Sequence, residues 1–202
     1  MPAAEPGLVE WGMATRTLPG ETESGDLALV KPFPRGVLGA VIDGLGHGPE
    51  AARAARAARK TLGDGAGQTV ERLLQRSHVR LARTRGAVMS VACFDSGGTM
   101  TWLGVGNVEG RLLRLEDGVT WEALPLFAGI VGYRMPPLQS ISLPLRRGDV
   151  VILATDGIRS DFAAPKNPSA SAEAIARRIL DEDGIDTDDA LVLVARYLGA
   201  PR

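Results

Sequence analysis

The sequence predicts an α+β domain whose helices pack outside its sheets. Apolar runs that are typical of strands occur in groups, two helical patterns follow the third run, and one more helical pattern precedes the last run. This order differs from the regular alternation of a doubly wound fold. The chain has 202 residues, 45% of them hydrophobic, which suits a single domain over residues 1–202 with its own core.

The strand predictions follow from short apolar runs separated by turn residues. Two of the runs, Val37–Ile42 and Val150–Ala154, are nearly continuous in apolar residues, which indicates strands buried on both faces. The predicted strands are Leu8–Leu18, Leu27–Lys31, Gly36–Ile42, Ala87–Phe94, Met100–Val105, Arg111–Leu115, Gln139–Leu143, Asp149–Ala154 and Ala190–Tyr197.

Three segments have the 3.6-residue periodicity of amphipathic helices. Pro49–Leu62 is rich in alanine and begins with a proline suited to a first helical position. Thr69–Arg83 and Ala170–Leu180 carry apolar residues on one face. The proline-containing stretches Leu124–Leu138 and Ala163–Ser169 are expected to be irregular.

Composition argues against several function classes. The net charge of -1 favours no nucleic-acid partner, because such proteins usually carry a basic excess. The longest apolar stretches fall short of the ~18 residues of a membrane span, so no membrane association is expected. Cys93 is the single cysteine, which rules out an internal disulfide. Met1–Pro6 lacks the features of a signal peptide, which predicts a cytoplasmic protein.

Aspartates stand at the ends of the predicted strands. Asp43 ends one buried run, Asp156 lies just past another, Asp26 precedes a third, and Asp188 and Asp189 precede the last. Any of these acids taken alone is also compatible with a turn or cap role. Gathered at one rim, however, they would repel each other unless a cation lay among them. A site of oxygen ligands without His or Cys suits Mg²⁺ or Mn²⁺.

Four short segments carry a specific resemblance. Val41–Gly48, Leu153–Ile158 and Asp188–Val194 are similar to the three metal-binding motifs of the PPM-type protein phosphatases, in the same order. Ser24–Asp26 resembles the upstream acidic motif of the bacterial SpoIIE-like branch, and the short chain resembles its stand-alone members in the general stress (stressosome) pathway. The resemblance implies two antiparallel β-sheets packed face to face with helices outside.

The resemblance also implies roles for individual residues. Asp43 would bridge two metal ions, and the carbonyl oxygen of Gly44 would bind one of them. Asp156 and Asp188 would complete the second ion, and Asp26 would lie in or near the first coordination shell. Asp189 is the alternative to Asp188. We prefer Asp188 because the ligand in the family directly precedes a residue that is often Asn or Asp.

Contacts to the substrate phosphate are less defined. The arginine that binds phosphate in some relatives has two candidate counterparts, Arg16 and Arg85. His47 lies beside the proposed bridging acid and could protonate the leaving oxygen, since an unperturbed imidazole has a pKa of about 6.5. The alternative for His47 is a loop histidine that hydrogen-bonds the backbone.

The implied reaction is hydrolysis of phosphoserine or phosphothreonine by a water activated by two ions, Mn²⁺ or Mg²⁺. The implied partners are phosphorylated STAS-domain-type proteins that form the scaffold of a stress-signalling complex. A non-catalytic binding module on the same fold is the main alternative. Nucleotide binding through Gly44–Gly48 is a third, although this run matches neither a dinucleotide fingerprint nor a Walker motif.

Overall fold

The computed structural model describes residues 7–115 and 120–200, so Met1–Pro6, on which the expectation of no leader rests, lies outside the described residues. Within the described ranges the chain forms eleven strands and three helices. In chain order they are β1 (Val9–Arg16), β2 (Asp26–Phe33), β3 (Gly36–Gly44), α1 (Gly48–Asp64), α2 (Val70–Leu81), β4 (Ala87–Asp95), β5 (Thr99–Val105), β6 (Glu109–Arg114), β7 (Thr120–Ala123), β8 (Leu126–Phe127), β9 (Ile141–Pro144), β10 (Val150–Ala154), α3 (Ala172–Asp183) and β11 (Ala190–Tyr197).

The strands form two sheets. One sheet has the order β1-β11-β10-β6-β7, and the other has the order β2-β3-β4-β5-β8, with β9 also paired to β5. Every strand pairing is antiparallel except the short parallel contact of β5 with β8. Among the described residues, no helix is long and apolar enough to cross a membrane.

Three apolar clusters hold four layers together. The cluster between the sheets includes Trp102, Val151 and Leu193. A second cluster joins α1 and α2 to the β2–β5 sheet, and a third joins α3 to the other sheet. The predicted α+β sandwich, with two face-to-face antiparallel sheets and helices outside, is confirmed.

All nine predicted strands and all three predicted helices are present, with ends shifted by a few residues. Two strands were not predicted. Strand β7 lies at the edge of its sheet and has no buried residue. Its sequence therefore lacks the alternation of apolar and polar residues that indicates a strand. The segment Leu126–Phe127, expected to be irregular, forms the two-residue strand β8, which is too short to leave a periodic pattern.

Helix α1 packs closely against the β2–β5 sheet because its inner face is built from small side chains. The fully buried residues of that face are Ala51, Ala54, Ala55, Ala58 and Leu62. The end of the helix turns at Gly65, whose N–H bonds to the carbonyl of Leu62 at 3.2 Å. The small side chains bring the helix axis near the strands that carry the predicted site.

Replacing Ala55 by Leu should lower the free energy of unfolding by about 1–3 kcal/mol, because three added carbon atoms would overpack this face. Ala55 is fully buried in the cluster between α1 and the sheet. Urea unfolding of both proteins measures the change, with the half-buried Ala57 replaced by Leu as the control on the same helix. Equal stability of Ala55→Leu and the wild-type protein would contradict the close packing.

Candidate active site

The four predicted acids meet at one edge of the sandwich. Asp26 begins β2 directly opposite Asp43 on β3. In the other sheet, β10 ends beside the start of β11, with Ala154 opposite Val192. Asp156 and Asp188 therefore lie close together although 32 positions separate them in the sequence. The two sheets join here through Thr155, whose hydroxyl donates a hydrogen bond to Asp26 Oδ2 at 2.7 Å.

Gly44 follows Asp43 and Gly157 follows Asp156, and each glycine lets another segment of backbone approach closely. A Cβ atom on Gly44 would lie 2.2 Å from the carbonyl oxygen of Ala51 in α1. A Cβ atom on Gly157 would lie 1.9 Å from the carbonyl oxygen of Asp189. Neither contact is possible for a larger residue. The two Asp-Gly pairs therefore bring α1 against β3, and the end of β10 against the start of β11.

A cavity of about 500 Å³ opens over this edge. Three of the predicted acids line it together with loop residues from several segments. The lining includes Asp43, Gly46, His47, Asn107, Asp156 and Asp188. A smaller cavity, of about 170 Å³, lies between α3 and the loop at 163–167 and contains none of the predicted site residues. Three of the four acids therefore face one open cavity, and Asp26 lies behind it, opposite Asp43.

Three of the clustered acids, Asp26, Asp43 and Asp156, have pKa values above the ordinary value of an aspartate. Burial raises the pKa of Asp43 to about 8, and the neighbouring charges of Asp26, Asp156 and Asp188 act in the same direction. Burial also raises the pKa of Asp26 to about 7, although the hydrogen bond from Thr155 partly offsets this effect. The pKa of Asp156 is raised by burial and by Asp188. Gathering these carboxylates is thus unfavourable unless protons or cations accompany them.

The donor chemistry fits a divalent cation. Asp156 accepts a hydrogen bond from Asn107 Nδ2 at 2.7 Å, and Asp188 Oδ1 accepts one from the N–H of Asp189 at 2.8 Å. Each acid thus turns toward a local donor, and no three His, Cys, Asp or Glu side chains in the described ranges form a ready-made metal cage. Carboxylate oxygens that raise each other's pKa are nevertheless the ligands that Mg²⁺ and Mn²⁺ prefer.

Asp188 and Asp189 have different surroundings. Asp189 is 2% exposed, and its two oxygens accept hydrogen bonds from the N–H groups of Leu18 and Gly25 at 2.8 and 2.7 Å. Asp188 is half-buried and lines the cavity. The carboxylate of Asp189 is therefore engaged in holding the segment that leads into Asp26, whereas the carboxylate of Asp188 faces the cavity.

Of two predicted phosphate-binding residues, His47 and Arg16, only the first lines the cavity. His47 lines the cavity, and its Nδ1 hydrogen-bonds Glu21 Oε1 at 2.5 Å rather than the backbone. The guanidinium of Arg16 bonds the carbonyl of Ile185 at 2.6 Å and pairs with Asp186 at 3.1 Å. It is absent from the cavity lining.

Arg85, the other candidate, lies at the mouth of the cavity. Its Nη1 is 2.9 Å from the position that a Cβ atom on Gly46 would take. Gly46 itself lines the cavity.

Sequence reasoning assigned no role to three residues that the structure places at the site. Asn107 orients Asp156, Thr155 orients Asp26, and Glu21 pairs with His47. Thr155 directly precedes Asp156 in the second Asp-Gly motif, and Asn107 directly follows Gly106 in the segment 104–108, which contains two glycines. The sequence positions of Thr155 and Asn107 could therefore have indicated a role at the site. The contact of Glu21 with His47 could not, because it joins two loops that no local sequence pattern connects.

The metal-free protein should lose stability as the pH rises from about 4 to about 8. The pKa values of Asp26 and Asp43 in the folded protein, about 7 and about 8, exceed their ordinary value of 3.8. The native state therefore binds more protons than the unfolded state in this window, and the stabilisation is lost as the pH rises through the folded-state values. The total loss should be on the order of several kcal/mol.

Urea unfolding in EDTA at about pH 5 and about pH 8 measures this loss, and added Mn²⁺ at the higher pH should restore stability by binding the native state. Metal-free protein that is equally stable at both pH values would contradict the clustering of the acids.

Comparisons with known proteins identify related chains. The phosphoserine phosphatase RsbX of Bacillus subtilis (strain 168) is 25% identical over 162 residues, which cover 79% of this chain and 80% of that protein. A chain from a structure of the bacterial stressosome, described as a modular system adapted to control secondary messenger signaling, is 34% identical. It superposes with a TM-score of 0.85 over 93% of this chain and 99% of its own.

A third comparison concerns the fold. The crystal structure of RsbX in complex with magnesium superposes with a TM-score of 0.82 at 20% identity, covering 96% of this chain and 98% of its own. No protein-family model matches the chain. The arrangement of sheets and helices described above is therefore shared with RsbX along nearly the whole length.

Proposed function

We propose a function from the premise that this chain belongs to the PPM-type family of metal-dependent protein serine/threonine phosphatases, in its SpoIIE-like branch. The chain hydrolyses phosphoserine or phosphothreonine on a protein, using Mn²⁺ or Mg²⁺. The observation that carries the proposal is the meeting of four aspartates from four separate segments at one edge of the sandwich, three of them lining one cavity. We take residues 1–202 as one phosphatase domain that acts in the cytoplasm.

The ligands we propose rest on the resemblance of the four segments to the family's metal-binding motifs, and the clustering of the acids supports them. Asp43, which shares the cavity with Asp156 and Asp188, would be the ligand common to two ions, and the carbonyl of Gly44 would bind one of them. Asp156 and Asp188 would hold the second ion, and Asp26 would lie in or near the first shell. When bound, two such ions supply Lewis acidity and lower the pKa of a water that attacks phosphorus.

The chain's own residues position these ligands. Asn107 donates a hydrogen bond to one oxygen of Asp156, and Thr155 donates one to an oxygen of Asp26, so that the orientation of both carboxyl groups is restrained. His47 lies at the cavity wall with Glu21 as its partner, and it is placed to give a proton to the leaving oxygen. A contact of Arg16 with the substrate phosphate would require the guanidinium to leave Asp186, so this role stays a prediction.

The substrate we propose is a phosphorylated protein, specifically a STAS-domain-type scaffold protein of a bacterial stress-signalling complex, which the phosphatase resets. The similarity to RsbX and to a stressosome chain supports this choice. The form of the site supports it too, because the cavity is open and has carboxylates beside apolar surface, as suits a phosphate presented on a protein surface.

The first test measures phosphate release from a generic aryl phosphate with Mn²⁺, with Mg²⁺ and in excess EDTA. We expect turnover with either metal, with Mn²⁺ the better, and none in EDTA. Full activity in EDTA would contradict the metal site. Absence of turnover with both metals would instead favour the non-catalytic binding module.

The second test concerns the substrate. We expect kcat/KM for a phosphorylated STAS-domain protein to exceed that for free phosphoserine and for a short phosphopeptide from the same protein. Small substrates turned over as efficiently as the protein would show a general phosphomonoesterase, without a docking surface.

A further inference from the structure

Positive charge is concentrated in one part of this nearly neutral chain. Residues 49–85, which contain α1 and α2, carry nine Lys and Arg against three Asp and Glu, a net charge of +6, whereas the whole chain carries -1. The outer helical layer over the β2–β5 sheet is therefore basic. An uneven distribution of charge of this kind attracts a partner of opposite charge to the basic surface.

Only part of this charge is neutralised within the described residues. On α1, Arg53 pairs with Glu50, Arg56 pairs with Glu23, and Lys60 pairs with Asp64, at 2.8 to 2.9 Å. The remaining arginines of this layer form no ion pair with any residue in the described ranges. They are Arg59, Arg72, Arg76, Arg80, Arg83 and Arg85.

Three of these arginines line one groove. Arg72, Arg76 and Arg80 recur every fourth residue on the exposed side of α2, and with Thr61, Gln75 and Val79 they enclose about 530 Å³. Asp64, the acid close to this groove, is already held by Lys60 at 2.8 Å. Like charges at this spacing destabilise a helix by roughly 0.2–0.5 kcal/mol per pair. The mutual repulsion of the three arginines is therefore a cost to α2, which an acidic partner would offset.

The groove also has an apolar centre. The side chain of Val79 is 76% exposed between the arginines. Arginine stems around an exposed apolar residue resemble the centre of a protein–protein interface, in which arginine is enriched. A phosphate backbone or a lipid headgroup would leave Val79 without a contact, and the remainder of the chain is net negative, which disfavours a long polyanion.

We propose that this groove, the α2 basic groove, is a docking surface for an acidic segment of a protein partner that places an apolar side chain on Val79. The three arginines span about 12 Å along α2, the length of about two helical turns of a partner. Beyond Arg80 the chain continues through Arg83 to Arg85 at the mouth of the catalytic cavity. A docked partner would thus be held near the acids. That the groove presents a phosphorylated protein to the cavity rests on the proposed function.

The test measures binding directly and needs no catalysis. The probe is a fluorescein-labelled peptide of about 16 residues, rich in Glu with Leu at helical spacing, and its twin carries Gln in place of every Glu. We expect the wild-type protein to bind the acidic peptide, with affinity falling as salt rises. We expect at least tenfold weaker binding of the Gln twin, and at least tenfold weaker binding of the acidic peptide by R72Q/R76Q/R80Q.

The matched control removes three arginines that each pair with an acid of α3, as R159Q/R177Q/R178Q, and should leave the affinity within about twofold. Arg76 packs beside Gly65, so the triple variant could fold poorly for that reason alone. The double variant R72Q/R80Q keeps this contact and should also bind the acidic peptide more weakly than the wild-type protein. Val79→Ser should weaken binding without changing its salt dependence.

Three outcomes would overturn the proposal: failure of the acidic peptide to bind, equal losses in the two triple variants, or tight binding of the Gln twin. Tighter binding of anionic phosphatidylserine vesicles or of duplex DNA than of the peptide, lost in R72Q/R76Q/R80Q, would overturn it in favour of a lipid or nucleic-acid surface.

Discussion

Replacing Asp43 by Asn should reduce metal-dependent phosphate release by at least about 10³-fold, because the proposed bridging ligand would lose its charge. Asn has nearly the same volume, and burial and the neighbouring acids make Asp43 costly to ionise, with a pKa of about 8 in the metal-free protein. The same change should therefore raise the stability of the metal-free protein near pH 8 by about 1–3 kcal/mol. Initial rates with an aryl phosphate and urea unfolding in EDTA measure the two effects.

The opposite signs of these effects distinguish a metal ligand from a structural acid, whose loss would lower activity and stability together. Asp181→Asn on the exposed face of α3 makes the same chemical change away from the cavity and should alter neither quantity. Near-normal turnover of Asp43→Asn would place the catalytic centre elsewhere.

Replacing Asp189 by Ala should destabilise the protein by about 3–5 kcal/mol, the second large effect that the site predicts. The buried carboxylate accepts hydrogen bonds from two backbone N–H groups, those of Leu18 and Gly25, and Ala would leave both without an acceptor. Because Gly25 directly precedes Asp26, the proposed metal ligand should also shift. We therefore expect weaker metal binding, measured as a higher Mn²⁺ concentration for half-maximal activity.

A second buried acid provides the control. Asp149 is also 2% exposed and also accepts a backbone hydrogen bond, from Arg146, but it precedes β10 at the end opposite to Asp156. Asp149→Ala should lower stability while leaving the Mn²⁺ requirement of the folded protein unchanged. If both variants shifted the Mn²⁺ requirement equally, Asp189 would have no specific part in positioning Asp26.

The sequence contained enough information to predict the layers and the acids, because both depend on local patterns. Continuous apolar runs such as Val150–Ala154 indicated buried strands, and each was followed or preceded by an acid at a position that antiparallel pairing brings to one edge. Strand β7 was not predicted, because an edge strand with exposed side chains has no alternation of apolar and polar residues. The acids could be predicted because they border buried apolar runs, which β7 lacks.

The supporting contacts were beyond a local reading because they join segments that are far apart. Thr155 and Asp26 are separated by 129 positions, and Asp189 and Gly25 by 164. A pair of adjacent aspartates, Asp188 and Asp189, looks equivalent in sequence, and only the tertiary structure shows that one is buried against backbone N–H groups while the other faces the cavity.

The wide separation of the four acids along the chain has a consequence for the order of folding. The cluster needs β2 and β3 from the first quarter of the chain and β11 from its last residues, so it cannot exist before both sheets have closed. A divalent ion therefore has no site in a partly synthesised or partly folded chain and cannot nucleate folding. It acts afterwards by binding the completed native state, which slows unfolding more than it speeds folding.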